Sequence, residues 1–198
     1  MVKIGINGFG RIGRAFFRAG FKALNIVAIN SPSNAENIAH LLKYDTVYGK
    51  FPGKIRYTKN ALYVNGKKIK LFFEREPEKI PWKDLGVHIV VECSGIFCDK
   101  DSASKHLKAG AKKVIISAPA KGVNLTVVNG INDKKIKKQK IISNASCTTN
   151  CLAPIAKIID DNLGLKRGFM TTIHSYTKDQ NLVDATHKKD YRRGRAAA

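Results

Sequence analysis

Along this chain, short apolar runs alternate with stretches whose apolar residues return every three or four positions. Residues 2–7 form the first run and close on Gly8-Phe9-Gly10-Arg11-Ile12-Gly13. Behind that turn Ile12, Ala15, Phe16, Ala19 and Ala23 fall at helical spacing, and residues 25–30 predict a second buried strand. Residues 34–43 read as another helix. Residues 54–73 alternate as strands do, with Asn65-Gly66 placed for a type I′ hairpin turn. Further strands are expected over 87–91, 114–117, 125–128 and 140–142, with a helix over 101–109 and a long one over 151–163. Residues 168–173 predict an apolar strand, and Arg195-Ala196-Ala197-Ala198 reads as helical sequence with no cap. Buried strands alternating with helices imply a parallel sheet covered on both faces, here over residues 1–146. No repeat or low-complexity linker interrupts the pattern.

The first turn narrows the class. Strand, GxGxxG, helix and strand follow one another within about thirty residues, the context in which a glycine turn binds a dinucleotide. The first two glycines let the backbone turn tightly and approach a pyrophosphate, which sits over a helix N-terminus; the third lets helix pack on strand. Arg11 would add a cation there. The expected class is therefore α/β, a Rossmann-type doubly wound and mostly parallel sheet.

A second feature carries chemistry of another kind. Ser143-Asn144-Ala145-Ser146-Cys147-Thr148-Thr149-Asn150-Cys151 sets a cysteine between an apolar strand and a helix. A thiol in a helix's first turn meets unpaired N–H groups and the positive end of the macrodipole. Both favour the thiolate, the nucleophilic form. Cys151, four residues on, shares a helix face with Cys147, close enough for an oxidative disulfide. Cys93, Cys98, Cys147 and Cys151 show no CxxC spacing, which argues against a metal site, and the first two read as small buried residues.

Composition adds boundaries. A 43% hydrophobic and 26% charged fraction over 198 residues suits an ordinary folded protein. No apolar run is long enough to span a bilayer, the N-terminus does not resemble a signal peptide, and four cysteines fit a reducing cytoplasm. The net charge of +21 invites a polyanionic partner such as nucleic acid. Its lysines are spread along the chain with few aromatics among them, which favours a solvated surface instead.

Taken together, INGFGRIGR, HLLKYD, SNASCTTNCLAP and TTIHSYT, in this order and spacing, resemble glyceraldehyde-3-phosphate dehydrogenase. The resemblance runs from Val2 to Ala198 and implies the N-terminal part of a longer chain: a dinucleotide-binding domain over 1–146 and the beginning of an α+β catalytic domain over 147–198. It implies that Cys147 attacks the aldehyde of glyceraldehyde 3-phosphate, that His174 is the base, that hydride passes to NAD or NADP, and that inorganic phosphate cleaves the thioester. The Cys147 backbone N–H would donate to the oxyanion. For the cofactor the resemblance points to Asn7, Gly8, Gly10, Arg11, Ile12, Ser31, Arg75, Ser94, Gly95, Phe97 and Ser117. For the two phosphates it points to Ser146, Thr148, Thr177, Asp179 and Arg193. It further implies a cytoplasmic homotetramer in the full-length protein, and little or no activity for this stretch alone.

Two departures bear on the cofactor. NAD-specific relatives carry an aspartate after the second strand, where Ser31 stands here, and Leu-Pro where Ala185-Thr186 stand. A carboxylate repels a 2′-phosphate, whereas a hydroxyl can donate to one. Both changes point toward use of NADP. Erythrose-4-phosphate dehydrogenase shares the cysteine motif, but Ser175-Tyr176-Thr177 and Ser117-Ala118-Pro119-Ala120-Lys121 follow the glyceraldehyde-3-phosphate pattern. A non-catalytic basic module binding nucleic acid is the alternative from a different class.

Overall fold

The computed structural model describes residues 1–188 and 190–195. It divides into two compact units, Met1–Asn162 and Leu163–Ala198. In the first, eight strands make one sheet: β1 (Lys3–Asn7), β2 (Asn25–Asn30), β3 (Ile55–Thr58), β4 (Ala61–Val64), β5 (Lys67–Phe72), β6 (Ile89–Glu92), β7 (Lys113–Ile116) and β8 (Ile141–Ser143). Their order across the sheet is β3-β4-β5-β2-β1-β6-β7-β8. All pairs from β5 to β8 are parallel, while β3 and β4 add an antiparallel edge. That edge turns at Asn65 (φ 50°) and Gly66 (φ 84°), the left-handed pair a type I′ hairpin requires.

Five helices, α1 (Arg11–Gly20), α2 (Ala35–Lys43), α3 (Trp82–Leu85), α4 (Lys100–Lys108) and α5 (Cys147–Leu163), complete the elements that matter for the site. Successive residues of a strand face opposite sides, and Val91 and Val90 accordingly join different apolar clusters. Val91, Ile4 and Ile6 pack with Phe17 of α1 and Leu42 of α2. Val90 and Ala28 pack with Trp82 of α3. A third cluster joins Ala103 of α4 to Val114, Ile116 and Ile141. Each such side chain contributes about 1.5–3 kcal/mol by leaving water, so the two-sided burial is what holds the parallel strands in register. Gly5 is needed on the α3 side, because a Cβ there would stand 2.6 Å from the Trp82 ring.

Three expectations change. Residues 125–128 are not a strand: only Thr126 bridges to Ser143. Asn132 diverts them, accepting from the Val128 N–H and donating to the Thr126 carbonyl, both at 2.9 Å. The helix expected from residue 151 begins four residues earlier, at Cys147, with Pro154 inside it. Residues 168–173 form no strand, and Phe169 and Ile173 are fully exposed. A strand needs a neighbour for its backbone groups, and among the described residues the second unit offers only a 3-10 turn over Tyr191–Gly194. Of the helical reading at the chain's end, Arg195 lies just past that turn, and Ala196, Ala197 and Ala198 fall outside the described residues.

Candidate active site

The parallel strands end together. Cα partners align Phe72, Asn30, Asn7, Glu92, Ile116 and Ser143 in one row across β5, β2, β1, β6, β7 and β8. Strand order reverses between β1 and β6, because the chain goes outward on one side as far as β3 and on the other as far as β8. In doubly wound sheets a ligand lies in the crevice at that reversal, beyond the carboxyl ends of the strands. Of the cofactor residues expected from the sequence, Asn7 closes β1 and the others follow the strand ends: Gly8 after β1, Ser31 after β2, Arg75 after β5, Ser94 after β6 and Ser117 after β7.

At the end of β1, Gly8 adopts φ 89° and a Cβ there would lie 2.5 Å from the Ser94 backbone nitrogen. The turns after β1 and β6 therefore touch, and only glycine permits it. Gly10 is the N-cap of α1 with no side-chain cap, and α1 has no acid in its first turn. A Cβ at Gly10 would meet nothing within 4 Å. The N-terminal N–H groups of α1 are thus left for an anion in an open space, which fits the pyrophosphate of a dinucleotide. Ile12 is exposed on α1. Arg11 is placed otherwise than on an incoming phosphate: its guanidinium meets the Asp45 carboxylate at 2.5 Å and lies over the Tyr48 ring. Asp45 titrates at about 2, held down first by the Tyr48 backbone N–H and then by Arg11 and the Val47 N–H, against the opposing effect of burial.

Beyond β2, Ser31 is buried and its N–H donates to the Phe72 carbonyl at 3.0 Å. Arg75 is exposed. Gly95 (φ 74°) is exposed with open space around its Cα. Phe97 is half-buried and packs edge-on to His106, ring centroids 6.1 Å apart. Ser117 donates its N–H to the Glu92 carbonyl and bonds the Cys93 thiol, whose pKa burial raises to about 11. Cys98 is half-buried too.

Past β8 the chain passes through Ala145 at φ 58° into α5. Ser146 caps that helix: its Oγ accepts from the Thr149 N–H at 3.0 Å, and its carbonyl accepts from Asn150 N at 2.9 Å. The Asn150 amide ties back to the Asn144 carbonyl at 2.7 Å. Cys147 is thus the first residue of a 17-residue helix, exposed, at the positive end of its macrodipole, with Thr148 beside it. Cys151 is also exposed and unoxidised.

The second unit holds the remaining candidates. Asp179 accepts from the Thr177 hydroxyl and pairs with Arg193, so these three converge. Arg193 also approaches Asp190 at 3.9 Å. His174 is exposed, and its Nδ1 lies 2.6 Å from the Ser175 carbonyl. A carbonyl can only accept, so Nδ1 is the donor in this contact. Ala185 donates its N–H to the Gly194 carbonyl, and Thr186 is exposed.

Sequence reading missed a buried polar chain beneath the cofactor turns. Trp82 Nε1 donates to His106 Nδ1 at 3.1 Å, and His106 Nε2 lies 2.9 Å from Glu92 Oε2. Asn7 Nδ2 reaches the same oxygen at 2.5 Å. Asn30 Nδ2 donates to Asn7 Oδ1 at 2.7 Å and to the Glu74 carbonyl at 2.9 Å, while Asn30 Oδ1 accepts from Glu74 N. Glu92 Oε1 accepts from the Ser94 N–H at 2.6 Å and from the Ser94 hydroxyl. The available signal was a single acid closing the apolar run Ile89-Val90-Val91 directly before a glycine turn.

Comparison with known proteins gives this geometry a family context. The family model described as "Glyceraldehyde 3-phosphate dehydrogenase, NAD binding domain" matches residues 2–100, and the one described as its C-terminal domain matches residues 146–198. Glyceraldehyde-3-phosphate dehydrogenase of Thermotoga maritima is 53% identical over 203 residues, covering 100% of this chain and 61% of that relative. The enzymes of Priestia megaterium and Geobacillus stearothermophilus are 56% and 54% identical, each covering 100% of this chain and 60% of the relative. The chain thus spans about three-fifths of the length of the curated relatives it matches.

Proposed function

The chain belongs to the glyceraldehyde-3-phosphate dehydrogenase family, and from that premise we propose that it carries the cofactor site and the nucleophile of a phosphorylating aldehyde dehydrogenase. The observation that supports this best is the placement of Cys147. It opens a capped helix directly after β8, the strand that continues the row carrying the glycine turn.

Residues 1–146 form the dinucleotide-binding domain, and the catalytic domain begins at Cys147. The uncapped start of α1 receives the pyrophosphate of NAD or NADP, with Asn7, Gly8, Gly10, Arg11 and Ile12 around it. Ser31 serves the adenosine ribose, Phe97 flanks the adenine, and Arg75, Ser94, Gly95 and Ser117 make further contacts with the dinucleotide. When bound, the dinucleotide supplies the hydride acceptor. Cys147 Sγ bonds to the aldehyde carbon of glyceraldehyde 3-phosphate, and the carbonyl oxygen takes up a proton to give a hemithioacetal. His174 Nε2 removes the hydroxyl proton as hydride leaves, so a thioester remains on Cys147. An oxygen of inorganic phosphate then attacks the thioester carbon. The Cys147 N–H stabilises the oxyanion, the thiolate departs, and 1,3-bisphosphoglycerate is released. Ser146 and Thr148 hold the attacking phosphate, while Thr177 and Arg193, aligned by Asp179, hold the phosphate of the substrate. In the complete protein this chemistry runs in a cytoplasmic homotetramer. Among the described residues no helix is long and apolar enough to cross a membrane.

The test is an initial-rate assay on the chain completed to the length of its relatives, with glyceraldehyde 3-phosphate, phosphate, and NAD or NADP in turn. Phosphate-dependent reduction of either cofactor supports the reading. Comparable or higher rates with NADP would assign the 2′-phosphate to Ser31 and Thr186. No reduction of either cofactor would overturn the enzyme reading.

A further inference from the structure

The start of α1 carries a cation that neighbouring groups already hold. Arg11, Arg14 and Arg18 fall on one side of the helix, at spacings of three and four residues. Arg14 donates to the Phe9 carbonyl, and Arg18 to the Leu42, Tyr48 and Gly49 carbonyls. Among the described residues Asp45 is the only carboxylate bonded to any of the three, and it takes Arg11. The two oxygens of Asp45 are divided. Oδ1 accepts from the Val47 and Tyr48 N–H groups at 2.9 and 3.0 Å, which leaves Oδ2 for the guanidinium. The Tyr48 ring covers Arg11 as well, its centroid 5.6 Å from the guanidinium carbon. Arg18 holds the backbone at Tyr48 and Gly49, about two helical turns further along, so the turn that carries Asp45 is itself fixed to α1. The pair is built in from both partners and is no casual meeting of surface charges.

Without that hold Arg11 would stand elsewhere. Side chains lean toward a helix's N-terminus, and Arg11 is the first residue of α1. A released guanidinium would therefore lean over the N–H groups that face the pyrophosphate. Resting on the cofactor reading above, we infer that Asp45 is a positioning residue of the cofactor site: it withholds the Arg11 side chain from the pyrophosphate and leaves that anion to backbone N–H groups. The result is weaker binding that exchanges faster. A dinucleotide that must leave in every catalytic cycle is better held by neutral donors than by a guanidinium, whose bonds to phosphate are roughly twice as strong. Asp45 also limits what else the helix terminus attracts. Arg14 is buried, and its Nε has no partner among the described residues. Burial, and after it Arg11, lowers the Arg14 pKa, while Asp45 opposes them. Without the carboxylate, an uncompensated cationic face would stand beside the positive end of α1 and draw in any small polyanion.

Asp45→Asn keeps the oxygen that the Val47 and Tyr48 N–H groups need and removes only the charge. In the chain completed to the length of its relatives, NAD+ affinity should rise about tenfold in this variant, the scale of a hydrogen bond to a charged group. Inorganic pyrophosphate, titrated in competition with NAD+, should gain at least as much. Adding Arg11→Ala should abolish both gains. A merely structural role predicts the opposite sign, because a loosened α1 terminus would bind worse. Unchanged or weaker NAD+ binding in folded Asp45→Asn would overturn the inference, and so would a gain that survives Arg11→Ala. If Asp45→Asn does not fold, a crystal structure of the unaltered chain with NAD+ decides. The Arg11 guanidinium should remain on Asp45 while the pyrophosphate sits on the α1 N–H groups; a guanidinium bonded to the pyrophosphate would overturn the inference. An unaltered chain that binds no NAD+ would overturn the cofactor reading itself, and the inference with it.

Discussion

Among the described residues every buried apolar side chain lies between Ile4 and Ala145, while α5, which starts two residues later, buries none of its 17. The flank formed by Leu152, Ile155, Ile158 and Ile159 is open to solvent. The two regions nevertheless adjoin at the candidate nucleophile. Cys147 is anchored from the sheet side, through the Ser146 cap and the Asn150–Asn144 bond, although no residue of its helix is buried. Cofactor geometry and nucleophile placement are thus built into the sheet's edge, whereas the helix that carries the thiol contributes little to the core. Stability and chemistry should respond to different residues.

The largest separation is expected for Cys147→Ala. In a chain completed to the length of its relatives, removing a nucleophile should lower turnover by about a thousandfold or more, with NAD+ affinity unchanged because no strand end is touched. Steady-state rates and a cofactor titration would show it; a parallel loss of cofactor binding would mean the two regions are not separable. Next comes a pair of stability measurements. Leu62→Ala, at a side chain with no exposure, should cost about 2–5 kcal/mol, and Ile158→Ala, at 63% exposure, about 0.5 kcal/mol or less. Denaturant unfolding of this chain checks both, and equal costs would mean that α5 is covered in solution.

Thiol reactivity divides along the same line. With its pKa raised to about 11, Cys93 should be alkylated about a hundredfold more slowly near pH 8 than an ordinary exposed thiol. Exposed Cys147 should label first, which mass spectrometry of partly alkylated protein would read. The smallest effect concerns Asp45. Its folded pKa, about 2, lies below its ordinary value, so its contribution to stability is complete above about pH 4 and is lost as pH falls toward 2. Asp45→Asn should therefore flatten the acid limb of the stability profile, and an unchanged limb would remove the Arg11–Asp45 pair from the account.

What could be read from residues alone follows the same division. The central strands of the first unit announce themselves because they are buried on both faces, so apolar runs such as residues 25–30 and 87–91 need no partner to be recognised. The glycine turn was legible because Gly8, at φ 89°, and Gly13, where a Cβ would stand 2.1 Å from the Gly8 carbonyl oxygen, do backbone work that no other residue can do. Residues 125–128 misled because Asn132, a loop residue with no periodic signal, takes the Val128 N–H and the Thr126 carbonyl. Residues 168–173 misled because apolarity describes a side chain's preference and not the presence of a neighbouring strand. Glu92 escaped notice for a related reason: its meaning lies in four donors gathered from β1, α4 and its own turn, none adjacent to it in the repeating pattern. The start of α5 was placed late because Thr148, Thr149 and Asn150 look like loop residues until the cap at Ser146 is seen.

The chain has one tryptophan, and its indole N–H is bonded to the ring that donates to Glu92. The protein therefore carries its own optical probe, wired by two hydrogen bonds to the edge where a cofactor would settle. Emission from Trp82 should report strain at that edge from within the core, with no label added and no surface residue changed.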